Sequence, residues 1–148
     1  MSRILVLNGP NLSRLGSREP EVYGSATLDD LRSVLESDAA GRAEIELRQT
    51  DDESELVGWI HEAVDAGSAV ILNPAAFTHY SYALRDACAM LKQAGLPLIE
   101  VHMSNPHARE RFRHSSVISA VATGVIAGFG IDSYRLALAQ LLRRAGTP

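Results

Sequence analysis

Arg3-Ile4-Leu5-Val6-Leu7-Asn8-Gly9-Pro10-Asn11 sets four apolar residues in a row and then stops them with an amide, a glycine and a proline. A short apolar run closed by turn formers reads as a strand. Four more such runs follow: Ala43–Leu47, Ala69–Leu72, Leu98–Val101 and Gly124–Ala127. In the second, Ile45 and Leu47 alternate with charges, the pattern of an edge strand. Helical stretches lie between the runs. Thr27 caps one, with Asp30 three residues on, and Leu28, Leu31, Val34 and Leu35 mark its buried face. A second spans about Asp52 to Ala66, with Leu56, Val57, Ile60 and Val64 inward and Gly67 as its stop. A third runs from His79 or Tyr80 to Ala94. The last covers Asp132 to Arg144 and buries Tyr134, Leu138, Leu141 and Leu142. Five strands separated by helices imply βαβ units and a parallel sheet. At this length the expected fold is a flavodoxin-like, doubly wound α/β sheet of five parallel strands with helices on both faces.

Composition narrows the function. The 148 residues, 46% hydrophobic and 22% charged, suit one domain, read here as a single catalytic unit over 1–148. A net charge of −4 argues against a nucleic-acid binder. One cysteine, Cys88, precludes an internal disulfide framework, and its place between Ala87 and Ala89 suggests an inert buried thiol. Lys92 is the single lysine beside 13 arginines, and it sits near a helix end, a poor place for imine chemistry. No signal-peptide core or membrane-spanning run is present, so a soluble, cytoplasmic protein is expected.

In a doubly wound sheet, ligands bind beyond the carboxyl ends of the strands. There the sequence places Asn8, Gly9, Pro10 and Asn11; Arg48 and Gln49; Asn73, Pro74 and His79; Glu100, His102, Ser104 and Asn105; and Gly128, Phe129 and Gly130. Turn formation accounts for any one of these loops, but not for amides, a carboxylate and imidazoles on one rim. Glu100 and His102 are two apart on a strand and share a face. A carboxylate in an apolar strand needs a partner, and fixing an imidazole tautomer is one solution. A structural pair bridging to a helix is the plainer one. Metal-ligand spacing around Glu100, His102 and His107 is lacking, and no metal or cofactor is expected.

The segment Gly9–Ala26 is 18 residues long, against about 4–6 for an ordinary loop. It carries Arg14, Arg18 and Tyr23, with Gly16 and Gly24 as candidate hinges, and reads as an active-site lid. Arg109, Arg111 and Arg113 follow the fourth strand. On a helix over Ala108–Arg113, Arg109 and Arg113 would share a face suited to a carboxylate or phosphate. A mobile loop and a solvated charged helix are the plainer readings of these two segments.

Together these pieces resemble a known family. LNGPNL at Leu7–Leu12, REPEVYG at Arg18–Gly24, LNP with TH across Leu72–His79, RDA at Arg85–Ala87, IEVH with SN across Ile99–Asn105, and HARERFRH at His107–His114 are similar, in order and spacing, to the type II 3-dehydroquinate dehydratases. The resemblance covers about Ile4 to Leu142. It implies a flavodoxin-like fold and anti elimination of water from 3-dehydroquinate to 3-dehydroshikimate through an enolate, in the shikimate or quinate pathway, with neither metal nor imine. It also implies a homo-oligomer, commonly a dodecamer of four trimers.

Residue by residue, Tyr23 matches the base and Arg18 the lid arginine beside it. His102 matches the acid, Glu100 its carboxylate partner, and Asn11 the residue that positions a water against the enolate oxygen. Asn73, His79 and Arg113 match substrate contacts, Asp86 a contact from the adjacent subunit, the backbone of Met103 and Ser104 the carboxylate site, and Arg109 an arginine near the tyrosine. A free phenol ionises near pH 10, so a tyrosine base at neutral pH needs roughly 4 kcal/mol of anion stabilisation, which neighbouring arginines can supply. The hydroxyl leaving group needs a proton, and the enolate a fixed donor.

The chain departs from the family pattern at several places. Ala75 stands where glycine is usual, so a positive φ there would be strained. Tyr80 replaces threonine, Pro106 a valine or isoleucine, Ser115 and Val117 a histidine and a tyrosine, and Arg14 a leucine. A receiver domain fits poorly, because Asn8 and Asn73 stand where it needs acids. A flavin carrier needs a better phosphate loop than Gly9-Pro10-Asn11. A paralogue with an altered substrate rests on Ala75 and Tyr80.

Overall fold

A computed structural model describes residues 2–145. The elements are β1 (Ser2–Asn8), α1 (Pro20–Tyr23), α2 (Leu28–Ala39), β2 (Ala43–Gln49), α3 (Glu53–Ala66), β3 (Ala69–Asn73), α4 (Tyr82–Gln93), β4 (Leu98–His102), β5 (Gly124–Ala127) and α5 (Asp132–Ala145), with short 3-10 turns between them. All strand pairings are parallel. The order is β2-β1-β3-β4-β5, the flavodoxin-like arrangement, with β2 at an edge as its charge alternation indicated.

Side-chain alternation along the strands builds two cores. Ile4, Val6, Ile71, Ile99 and Val101 point to one face, beneath α2 and α5. Leu5, Leu7, Val70, Leu72 and Leu98 point to the other, beneath α3 and α4. Leu31 and Leu35 of α2 and Leu56 and Ile60 of α3 are fully buried, so the spacing had the correct faces inward. The helix starts are capped, at Thr27 as the sequence indicated. Thr27 accepts from the Asp30 N–H while the Asp30 carboxylate accepts from the Thr27 N–H, and Asp52 accepts from the Ser54 and Glu55 N–H groups.

Two local expectations are corrected. The third helix starts at Tyr82, with Ser81 as its cap, and Ala75–His79 forms a 3-10 turn. The Ser81 hydroxyl accepts from the Leu84 N–H, a local bond that competes with extending the helix backwards. Nor is 108–113 one helix. Pro106–Ala108 and Arg111–His114 are separate 3-10 turns, with Arg109 extended between them. Arg109 and Arg113 therefore share no helical face.

The chain reverses direction across the sheet between β1 and β3, which run side by side with Asn8 level with Asn73. Gly9 is required here by close approach. Its N–H donates to the Asn73 carbonyl at 2.8 Å, and a Cβ would lie 2.6 Å from the Pro74 carbonyl oxygen.

Candidate active site

Beyond the carboxyl ends of β1, β3 and β4 lies a cleft of about 130 Å³. The loop after β1 supplies Asn11, Arg18 and Tyr23. The turn after β3 supplies Asn73, Ala75 and His79. The end of β4 and its loop supply His102, Met103, Ser104, Arg109 and Arg113. Two expected site residues stand apart. Glu100 lies behind His102, completely buried. Asp86 projects from α4 with its side chain 77% exposed, near the Arg85 guanidinium at 3.6 Å. Lys92 lies at the far end of α4, outside the cleft.

Segment 9–26 folds over this cleft. Leu12 and Leu15 are buried and anchor its first half. The φ angles of Gly16 (+96°) and Gly24 (+82°) bracket the part that carries Arg18 and α1. Tyr23 packs its ring against the core. The Arg18 guanidinium lies 4.8 Å and the Arg109 guanidinium 5.3 Å from the ring centroid. Arg109 also donates to the Ser104 hydroxyl at 3.1 Å, which ties the loop after β4 to the tyrosine. Asn11 adopts a left-handed conformation, φ +71°, which asparagine tolerates better than most residues. Its N–H donates to Asp51 at 2.8 Å.

Opposite stands the Glu100–His102 pair, with His102 Nε2 2.5 Å from Glu100 Oε2. Burial pushes the Glu100 carboxyl up, but the hydrogen bond from His102, and others from Ser119 and Thr78, outweigh it and hold the group below the usual carboxylate range. An ionised Glu100 can only accept, so Nε2 carries a proton and Nδ1 is the nitrogen left to exchange one. His79 is fixed in a similar way. The Ser115 carbonyl can only accept, so Nδ1–H donates to it at 2.9 Å. Burial, chiefly, and the Arg113 charge push the His79 pKa down, against that carbonyl's opposing effect. The neutral ring keeps Nε2 as an acceptor beside the cleft.

Asn73 is held by a contact that spacing alone did not reveal. Its Nδ2 donates to the Tyr134 hydroxyl at 2.8 Å, and its Oδ1 accepts from the Ala75 N–H at 3.0 Å. The Tyr134 hydroxyl donates to Asn8 Oδ1 at 2.7 Å. Asn8 is oriented in turn by donating to the Arg48 carbonyl at 3.1 Å. Tyr134 is fully buried, and burial raises its pKa, so the phenol remains a donor. One Asn73 N–H is left for a ligand. The sequence marked Tyr134 only as a core position of the last helix. Its hydroxyl, on a face otherwise marked by Leu138, Leu141 and Leu142, was the available signal.

Ala75 has φ +51°, so the strain expected from replacing glycine is present. Tyr80 is 58% exposed and does not line the cleft. The Cys88 thiol is pushed up to about 12, chiefly by burial, which fits an inert thiol.

The chain matches the family described as Dehydroquinase class II over residues 2–142. It is 60% identical over 146 residues to the 3-dehydroquinate dehydratase of Salinispora tropica, covering 97% of this chain and 99% of that protein. It resembles the crystal structure of type II dehydroquinase from Propionibacterium acnes with a TM-score of 0.92 and 51% identity, covering 97% of each chain. That from Butyrivibrio crossotus matches with a TM-score of 0.90 and 40% identity, over 96% of this chain and 97% of the other. Sequence motifs, strand order and relatives agree: the chain belongs to the class II dehydroquinase family of hydro-lyases.

Proposed function

We propose that this chain converts 3-dehydroquinate to 3-dehydroshikimate by anti elimination, with Tyr23 as base and His102 as acid. The observation that carries this reading is the placing of a phenol beside two guanidiniums in the same cleft as a histidine backed by a buried carboxylate. A phenol is a useful base only as its anion, and the guanidiniums of Arg18 and Arg109 set two positive charges against the Tyr23 ring. The phenolate takes the proton next to the ketone, and the C–H electrons move into an enolate. The enolate collapses and expels the hydroxyl, which leaves as water with a proton from His102. Asn11 positions a water that donates to the enolate oxygen. The backbone at Met103 and Ser104 receives the substrate carboxylate. His79 Nε2 accepts from a ring hydroxyl, while Asn73 and Arg113 donate to others. Glu100 holds the imidazole and balances its positive charge.

Segment 9–26 acts as a lid that turns about Gly16 and Gly24 and excludes water while the charges are exposed. Asp86, remote from its own cleft, reaches the cleft of a second copy in a homo-oligomer, a dodecamer built from trimers. The whole chain serves as one catalytic domain.

Ultraviolet absorbance tests the reading, because the product is a conjugated enone carboxylate. Mixing the purified protein with 3-dehydroquinate should raise the absorbance. Tyr23→Phe and His102→Ala should each lower kcat by about 10²–10⁴-fold while folding survives. Near-normal turnover in either variant would remove that residue from its role. No signal from folded wild-type protein would favour an altered substrate, with Ala75 at the cleft wall as the first residue to examine.

A further inference from the structure

Glu100 occupies a strand position that its neighbours on the same face, Leu98 and Leu72, fill with apolar side chains. It has no exposure to water, yet its carboxylate is well supplied with donors. Ser119 Oγ donates to Oε1 at 2.7 Å and Thr78 Oγ1 to Oε2 at 2.8 Å. Ser116 Oγ lies 3.2 and 3.0 Å from the two oxygens, and His102 Nε2 donates to Oε2.

Ser116 Oγ already accepts from the Ile118 and Ser119 N–H groups, both at 3.1 Å, which uses both of its lone pairs. It cannot then accept from Thr78, 2.7 Å away, so the Thr78 proton goes to Glu100. The single Ser116 hydrogen then goes to Thr78 Oγ1 at 2.7 Å, so the Ser119 and Thr78 hydroxyls present hydrogens to the carboxylate and Ser116 orients Thr78.

We propose that Thr78, Ser116 and Ser119 are positioning residues for the elimination: the Thr78 and Ser119 hydroxyls, with Ser116 orienting Thr78, hold Glu100 as an acceptor-only anion and thereby keep the transferable proton on His102. This rests on the reading of His102 as the acid. Removing one hydroxyl destabilises the state with full negative charge on Glu100 beside a neutral imidazole. It destabilises less the state in which a positive imidazolium, protonated at Nδ1 as well as Nε2, offsets that charge. The pair therefore grips its proton more tightly and becomes a weaker acid. Other titratable groups face the pair and are unchanged by the substitutions: His79 from the turn after β3, His107, Arg113 and His114 from the loop after β4, and Cys88 from α4. β5 contributes apolar Val125 and Ala127.

The test measures kcat and KM against pH for Thr78→Val, Thr78→Ser, Ser119→Ala and His102→Ala, each checked for native circular dichroism. Thr78→Val and Ser119→Ala should each lose about tenfold in kcat, the scale of one charge-assisted hydrogen bond. KM should stay within about twofold, since only transition-state stabilisation is lost. The alkaline limb of the kcat profile should move to higher pH in both, and Thr78→Ser should recover most of the rate. Wild-type rates and profiles in the hydroxyl deletions, with His102→Ala inactive, would overturn the cradle alone. A rate loss with an unmoved alkaline limb, or an equal loss in Thr78→Ser, would reduce the hydroxyls to packing and also overturn it. Full activity in His102→Ala would remove the acid assignment and the cradle with it. Should Thr78→Val not fold, Ser119→Ala, on a partly exposed turn, decides the matter by itself.

Discussion

Replacing Tyr134 with phenylalanine removes one oxygen from the middle of the molecule. The ring stays, so packing between α5 and the sheet is kept and no large cavity forms. What is lost is the bridge between Asn73 and Asn8. Both amides are buried, with exposures of 4% and 0%. Asn73 Nδ2 loses its acceptor, and Asn8 Oδ1 loses its donor. Each orphaned buried group costs about 1–3 kcal/mol, partly offset by no longer burying the hydroxyl. A net loss of about 2–4 kcal/mol follows. At this chain length roughly 1 kcal/mol shifts Tm by about 2–4 °C, so Tm should fall by about 4–16 °C in a thermal scan. The same bridge orients an amide in the cleft, so KM for 3-dehydroquinate should rise several-fold in steady-state kinetics, and Asn73→Ala should raise it little further when combined with Tyr134→Phe. A variant with unchanged Tm and unchanged KM would refute the reasoning that this hydroxyl holds the amide.

Ala75→Gly should relieve the left-handed strain at φ +51°. Since that conformation costs an L-residue about 1–2 kcal/mol and glycine gives back part of the gain in chain entropy, a stabilisation of about 0.5–1 kcal/mol is expected in urea titrations; destabilisation would show that the alanine methyl is needed for packing. Because Glu100 is held below the usual carboxylate range, its contribution is fully present above that range and lost as pH falls through its depressed folded value. The stability gap between wild type and Glu100→Gln should therefore close on acidification, and a gap constant from pH 7 to pH 3 would contradict the assignment. Trypsin should cut the free protein at Arg14 or Arg18, both on the segment over the cleft, and a bound substrate analogue should slow it. Equal cleavage rates with and without the analogue would argue against closure.

The five apolar runs, the Thr27 cap and the inward faces of α2 and α3 were legible because each depends on residues within a turn or two of one another. The flavodoxin-like sheet followed because right-handed crossovers leave few arrangements and this one is the commonest at this length. The rim of polar strand ends was legible for the same reason, and the spacing of Glu100 and His102 placed both on one face. The start of α4 and the two turns around Arg109 were misread because Ser81 and Pro106 impose local bonds and backbone limits that periodicity does not register.

By itself, then, the sequence determined the elements, the sheet and the rim on which a site must lie, together with motifs specific enough to point to a family. Only the tertiary structure decided which side chains answer one another. Thr78 and Ser119 meet Glu100 across 22 and 19 residues, and Tyr134 meets Asn8 across 126. Hydroxyls and amides carry no periodic signature, so their partners are set by where crossovers bring strand ends and helices together. The buried carboxylate shows the physical reason. Its cost without partners was evident from a glutamate in an apolar strand, but the groups that meet that cost come from two separate turns that the sheet alone brings within hydrogen-bond reach.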